Sequence, residues 1–188
     1  MGQAAVFYSD EGTALPDLTG WNTSDPFDIS FWADGADEWL HTGATDQGWQ
    51  LGADKSTQTI NIEEQSTPVA TTLQNQSITI TGALSEDVTQ TLALSLNATT
   101  ATVAATSSAA GYDEVTLKDT PIHYAVAMVT TNAKGFGRIV YAPSWTQLNN
   151  VSASFRRADD KRMYEVGFST VCKTSDIRVI NFTASATT

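Results

Sequence analysis

Two histidines, His41 and His123, and one cysteine, Cys172, are the side chains of this 188-residue chain best suited to act as bases, nucleophiles or soft metal ligands near neutral pH. His123 stands between Ile122 and Tyr124 in a β-type run and reads as a structural residue rather than a general base. A single cysteine excludes an internal disulfide framework, a four-cysteine zinc site and a Cys-x-x-Cys redox pair. Asp34, Asp37, Glu38 and Asp46 carry the oxygen ligands calcium prefers, yet Asp34-Gly35-Ala36-Asp37-Glu38 lacks the alternating ligand spacing of an EF-hand loop. They read as a solvated or subunit-facing acidic loop. Glu63-Glu64 and Glu86-Asp87 could imitate a glycosidase pair, but adjacent residues point to opposite faces of a strand and diverge by about 100° around a helix. No nucleophile elbow, zinc-protease motif, Walker loop or complete dinucleotide fingerprint occurs; Gly135-Phe136-Gly137 lacks the third glycine and falls in a hairpin. The expectation is a protein that is not an enzyme and carries no cofactor or metal.

Charge is distributed unevenly. The formal net charge is −11. Residues 1–94 hold 14 acids against Lys55 alone, whereas residues 95–188 hold 7 acids and 9 bases. An acid-rich half repels nucleic-acid phosphate. Arg156, Arg157, Lys161 and Arg162 cluster around Asp159 and Asp160, the pattern of a charged hairpin tip that is either solvated or set against an acidic face of a neighbouring copy. The longest apolar run, Tyr124–Val129, is six residues, too short to cross a bilayer. Met1–Asp10 lacks a basic segment followed by an apolar stretch, so a product made in the cytosol is expected, and the five Asn-x-Ser/Thr triplets are discounted as glycosylation sites.

The elements that must position these residues are mostly strands. Charged residues make up 16% of the chain, while 28 Thr and 16 Ser supply its polar surface, which favours sheet faces over solvated helices. Residues 1–48, with Pro16, Pro26 and six glycines, show no sustained periodicity and read as an extended arm, with a helical turn around Asp34 to His41. That arm nevertheless carries Trp21, Trp32 and Trp39, which need a surface to bury against. Residues 49–188 read as a single β-sandwich or barrel with one flanking helix. Period-2 alternation marks Thr57–Glu64 and Ser77–Ala83 as strands, with Gln65–Gln76 between them as a long loop. Ser85 is placed as an N-cap before a helix presenting Val88, Leu92 and Leu96 on one face. Ala98–Gly111 reads as a weak strand with a flexible connection. Six further β-type runs follow: Tyr112–Lys118, Ile122–Thr130, Arg138–Tyr141, Val151–Arg156, Met163–Cys172 and Ile177–Thr183.

The order Pro16–Gly20, Gly48-Trp49-Gln50-Leu51-Gly52, the Thr57–Glu64 strand, Thr67-Pro68-Val69, the Ser77–Gly82 strand, Leu84–Leu92 and a terminal meander resembles the major tail tube proteins of siphophages, particularly those of actinobacterial hosts. The Trp-x-x-Leu-Gly-like stretch of that family is one residue shorter here.

The resemblance implies a β-sandwich with one flanking helix. Six copies would form a ring with a continuous inner barrel, and rings would stack head to tail into the hollow virion tail through which DNA passes without specific binding. It implies assembly in the host cytoplasm, no membrane, and contacts with tape measure, terminator and distal tail proteins. Within this frame Trp21, Trp32, Trp39, Arg156, Arg157, Lys161 and Arg162 are expected at contacts between copies. Glu63, Glu64, Glu86 and Asp87 are expected at the lumen or ring face. Removing residues 1–45 would then leave a folded monomer. The competing expectation is a carbohydrate-binding β-sandwich that stacks sugars on exposed tryptophans.

Overall fold

A computed structural model describes residues 4–22, 25–33, 39–60, 70–85, 88–148, 153–154 and 163–183. In chain order the elements are β1 (Ala4–Asp10), α1 (Ile29–Ala33), β2 (Leu40–His41), β3 (Thr45–Ile60), β4 (Ala70–Leu84), α2 (Thr89–Ser95), β5 (Ala98–Val103), β6 (Tyr112–Leu117), β7 (His123–Thr131), β8 (Gly137–Gln147), β9 (Ala153–Ser154), β10 (Met163–Thr170) and β11 (Arg178–Asn181). The fold is mainly β, as the composition and alternation require.

One antiparallel sheet runs β2-β1-β7-β8-β10-β4-β3, with β11 added to β8 and β9 to β10; β5 and β6 form a separate two-stranded sheet. The large sheet forks along β8. Arg138–Tyr141 pair with β11, and Trp145–Gln147 pair with β10. Pro143 falls in the gap, where its missing N–H costs no ladder bond. The sheet also curls, so that β1 and β3, five places apart in strand order, lie in contact. The Thr42 N–H to Val6 O bond (3.0 Å) and the Ser85 N–H to Ala44 O bond (2.9 Å) sew this closure.

Curling buries the central strands on both faces. Val6, Val126, Met128 and Val140 face inward with Trp49, Ile80, Leu84, Tyr164, Val166, Phe168 and Leu94 of α2. Their strand neighbours Ala5, Phe7, Ala125, Ala127, Val129, Ile139 and Tyr141 face the other way, under Trp21, Trp32 and Trp39. Strands covered on two sides read as unbroken apolar runs rather than alternation, which explains Tyr124–Val129.

Several expectations are corrected. The arm is not a free leader: β1 sits inside the sheet, pairing with β7 from Ala4↔Thr130 to Asp10↔Tyr124, so residues 1–48 and 49–188 share one core. Of the helical turn expected around Asp34 to His41, residues 34–38 lie outside the described residues and Leu40–His41 is strand β2; a helical turn is present earlier, at Ile29–Ala33, opened by Asp28, whose carboxylate accepts from the Ser30 N–H (3.0 Å) and hydroxyl (2.6 Å). Those bonds hold the Asp28 carboxyl below its ordinary range. Most of Gln65–Gln76 that is described belongs to β4, which begins at Ala70. The flanking helix starts at Thr89 rather than after Ser85, and its buried residues are Thr91, Ala93, Leu94 and Ser95. Val88 and Leu96, expected on the packed face, are exposed because the short helix turns its Leu94 side to the barrel.

Candidate functional site

The tryptophan cluster is finished within one chain. Trp21, Trp32 and Trp39 are 3%, 1% and 1% exposed. Trp32 stacks on Phe7 of β1 with ring centroids 4.6 Å apart and 11° between planes, and meets Trp39 edge-on at 5.7 Å. Trp21 lies over Gly137, where any Cβ would overlap its ring. The segment is pinned by the Trp39 indole N–H to Ala14 O (3.3 Å) and the Tyr141 hydroxyl to Thr13 O (2.7 Å). These residues are therefore not anchors reaching into a neighbour: the doubly apolar β7 gave them a surface of their own. Trp49 and Trp145 are buried too, so none of the five tryptophans is a sugar platform.

Among the described residues the titratable groups do not converge on chemistry. Ser144 Oγ donates to Glu11 Oε1 (2.5 Å), and His123 Nδ1 lies 4.0 Å from the same oxygen. A serine nucleophile needs the imidazole between hydroxyl and carboxylate. Here the carboxylate is in the middle. With the Gly12 N–H to Pro143 O bond (2.8 Å), the group staples the turn after β1 to the fork in β8. Burial raises the Cys172 thiol, against a bond to the Ser144 backbone, so it stays protonated. His41 Nδ1 accepts from the Gly43 N–H (3.3 Å) at the rim of a 250 Å³ cleft lined by Tyr8, Thr42, Val88 and Thr91 among others. Among the described residues no carboxylate, lysine or arginine lines it. Among the described residues no three His, Cys, Asp or Glu side chains gather to hold a metal.

Two backbone edges lack a partner strand among the described residues. Trp49 is buried across Gly82, whose Cβ would collide with its ring, but from Gln50 to Ser56 side chains on both faces of β3 are exposed, apart from half-buried Gly52. There the β3–β4 hairpin leaves the core as a two-stranded ribbon. β3 pairs only with β4, from Thr45↔Leu84 to Ile60↔Ala70, leaving its outer edge without a partner strand among the described residues. On the other side β4 pairs with β10 only as far as Ser169↔Thr79. The Thr170 hydroxyl then takes over, accepting from the Ile78 N–H (3.0 Å) and facing Ile78 O (3.4 Å). From Ser77 back to Ala70, β4 has β3 alone.

Register sorts the ribbon's faces. Trp49, Leu51 and Ala53 pair with Gly82, Ile80 and Ile78 on the core side. On the opposite side Gln50, Gly52 and Asp54 pair with Thr81, Thr79 and Ser77, and Thr81 and Thr79 pair in turn with Gly167 and Ser169 of β10. That outer face is made of hydroxyls, an amide and a carboxylate, with no base.

A second projection is the β5–β6 hairpin, which packs on α2. Asp113 fixes it, accepting from the Thr89 hydroxyl (3.0 Å) and the Thr102 hydroxyl (2.8 Å). Asn97, at φ 52°, supports its base: its amide donates to Lys118 O (3.2 Å) and Thr120 O (3.0 Å) and accepts from the Ile122 N–H (2.8 Å). Val103, Tyr112 and Leu117 remain exposed on it.

The expected basic contacts Arg156, Arg157, Lys161 and Arg162 and the expected acidic positions Glu63, Glu64, Glu86 and Asp87 lie outside the described residues, as does the whole acidic Asp34–Glu38 stretch. The free edges of the ribbon were not singled out from sequence. The signal available was the alternation Trp49, Leu51, Ala53, followed up to Thr57 by no pair of turn residues. No protein-family model matches the chain, and no curated protein matches it.

Proposed function

We propose that this chain is a structural building block that assembles with copies of itself into stacked rings forming a hollow tube, in the manner of the siphophage tail tube proteins it resembles. The observation that carries this reading is the β3–β4 ribbon, whose two edges have no partner strand among the described residues. An isolated two-stranded ribbon is marginal in water, and a long open edge invites pairing with another chain. Because β3 and β4 are antiparallel, placing the β3 edge of one copy beside the β4 edge of the next continues the alternation of strand directions from copy to copy. Such a head-to-tail contact closes into a ring when the rotation permits. The base-free face of the ribbon suits a lumen that DNA crosses without sticking. The tryptophans lend the reading no support, since their rings are buried within the chain.

On this reading the partners are further copies and the proteins that set tail length and cap its ends, and the location is the virion tail. The test is negative-stain microscopy and analytical ultracentrifugation of the purified full-length protein over a range of concentrations. Rings or tubes of uniform width are expected. A protein that stays monomeric at millimolar concentration is not a tube subunit.

A further inference from the structure

Two short exposed edges outside the ribbon are complementary in chemistry. β6 carries Tyr112, Asp113, Glu114, Val115, Thr116 and Leu117, and pairs only with β5. β11 carries Arg178, Val179, Ile180 and Asn181, and pairs only with β8. Each therefore leaves one edge of backbone donors and acceptors open among the described residues. Each also exposes apolar surface: Tyr112 is 58% and Leu117 65% exposed on β6, and Val179 is 57% exposed on β11. Their charges are opposite. β6 bears two acids and no base, and β11 bears a base and no acid. Neither Glu114 nor Arg178 has an ion-pair partner among the described residues.

We infer that β6 of one copy adds to β11 of a second copy, with Glu114 set beside Arg178. Strand addition satisfies both open edges through main-chain bonds, and side chains set the choice of partner. Placing Glu114 opposite Arg178 brings apolar groups together in either strand direction: Tyr112 opposite Ile180 if antiparallel, Val115 opposite Val179 if parallel. Because the two strands differ, the contact is head to tail, and it joins copies through a surface separate from the β3–β4 ribbon. It rests on the self-assembly reading above and adds to it the identity of a second joint.

A charge swap tests it. Full-length wild type, Glu114→Arg, Arg178→Glu and the double variant are compared by sedimentation and negative stain, with circular dichroism confirming the fold of each. Each single variant should raise the concentration needed for assembly by about tenfold, and the double variant should return to within about threefold of wild type. If reversal perturbs a strand, Glu114→Gln and Arg178→Gln give a smaller loss in the same direction. Wild-type assembly that both single variants leave unchanged overturns this joint and leaves the tube reading standing. Losses in both singles without rescue overturn the pairing of these two residues. A wild type that never assembles removes both proposals.

Discussion

The Thr170 hydroxyl occupies both backbone polar groups of Ile78, accepting at 3.0 Å from its N–H and sitting 3.4 Å from its carbonyl. One side chain thus supplies the rung that β10 no longer provides, at the point where the β3–β4 ribbon leaves the barrel. Thr170→Val keeps the shape and removes the hydroxyl. The expected cost is about 1–2 kcal/mol in urea denaturation, with faster hydrogen exchange at the Ile78 amide. Thr170→Ser should retain most of the stability, and equal losses in the two variants would argue that the methyl rather than the hydroxyl matters.

The leader belongs to the core. Trp32→Ala removes a ring stacked on Phe7 and flanked by Trp21 and Trp39, and should cost about 3–5 kcal/mol. Removing residues 1–45 takes away β1 as well, exposing β7 and Tyr141, so the truncated chain should fail to give a dispersed proton spectrum. A well-folded truncated monomer would contradict the packing described here.

Tyr124 gives the protein an alkaline limit. Burial, reinforced by Tyr8 and then Asp10, pushes its phenol up to about 12. A raised value means that the folded state favours the neutral phenol. The resulting stability is fully present below the unfolded value near 10 and is lost as pH rises toward about 12. Stability should therefore decline between pH 10 and 12, and Tyr124→Phe should flatten that decline in chemical denaturation.

Asp113 holds the β5–β6 hairpin to α2 through two hydroxyls. Asp113→Ala should cost at most about 1 kcal/mol of global stability, because the bonds are exposed. The local effect should be larger: limited proteolysis between Ala104 and Gly111 should accelerate severalfold. Unchanged cleavage would show that Asn97 and Ala98 hold the hairpin without it.

Much of the sheet was readable in advance because period-2 alternation survives wherever one face is wet. The β6, β7, β10 and β11 segments fall within two residues of the runs Tyr112–Lys118, Ile122–Thr130, Met163–Cys172 and Ile177–Thr183. β1 escaped because Ala-Ala-Val-Phe-Tyr-Ser-Asp, buried on both faces, has no alternation to read. α2 was found but misaligned. A seven-residue amphipathic stretch offers two candidate apolar faces, and only contact with the barrel chooses Leu94 over Val88 and Leu96.

Composition and alternation by themselves determined a β-rich chain with hydroxyl-covered faces, without a disulfide framework, and with aromatics in its first quarter that had to be buried. Where they are buried was settled only in three dimensions. A tryptophan's need to leave water is written in its side chain, but the surface that receives it is assembled from β1 together with β7 and β8, strands that lie on either side of it in the sequence. Sequence spacing carries no record of whether that surface belongs to the same molecule or the next. Curling of the sheet brought β1 beside β7, placed the aromatic cluster on its own chain, and, among the described residues, left the open edges on β3, β4, β6 and β11 instead.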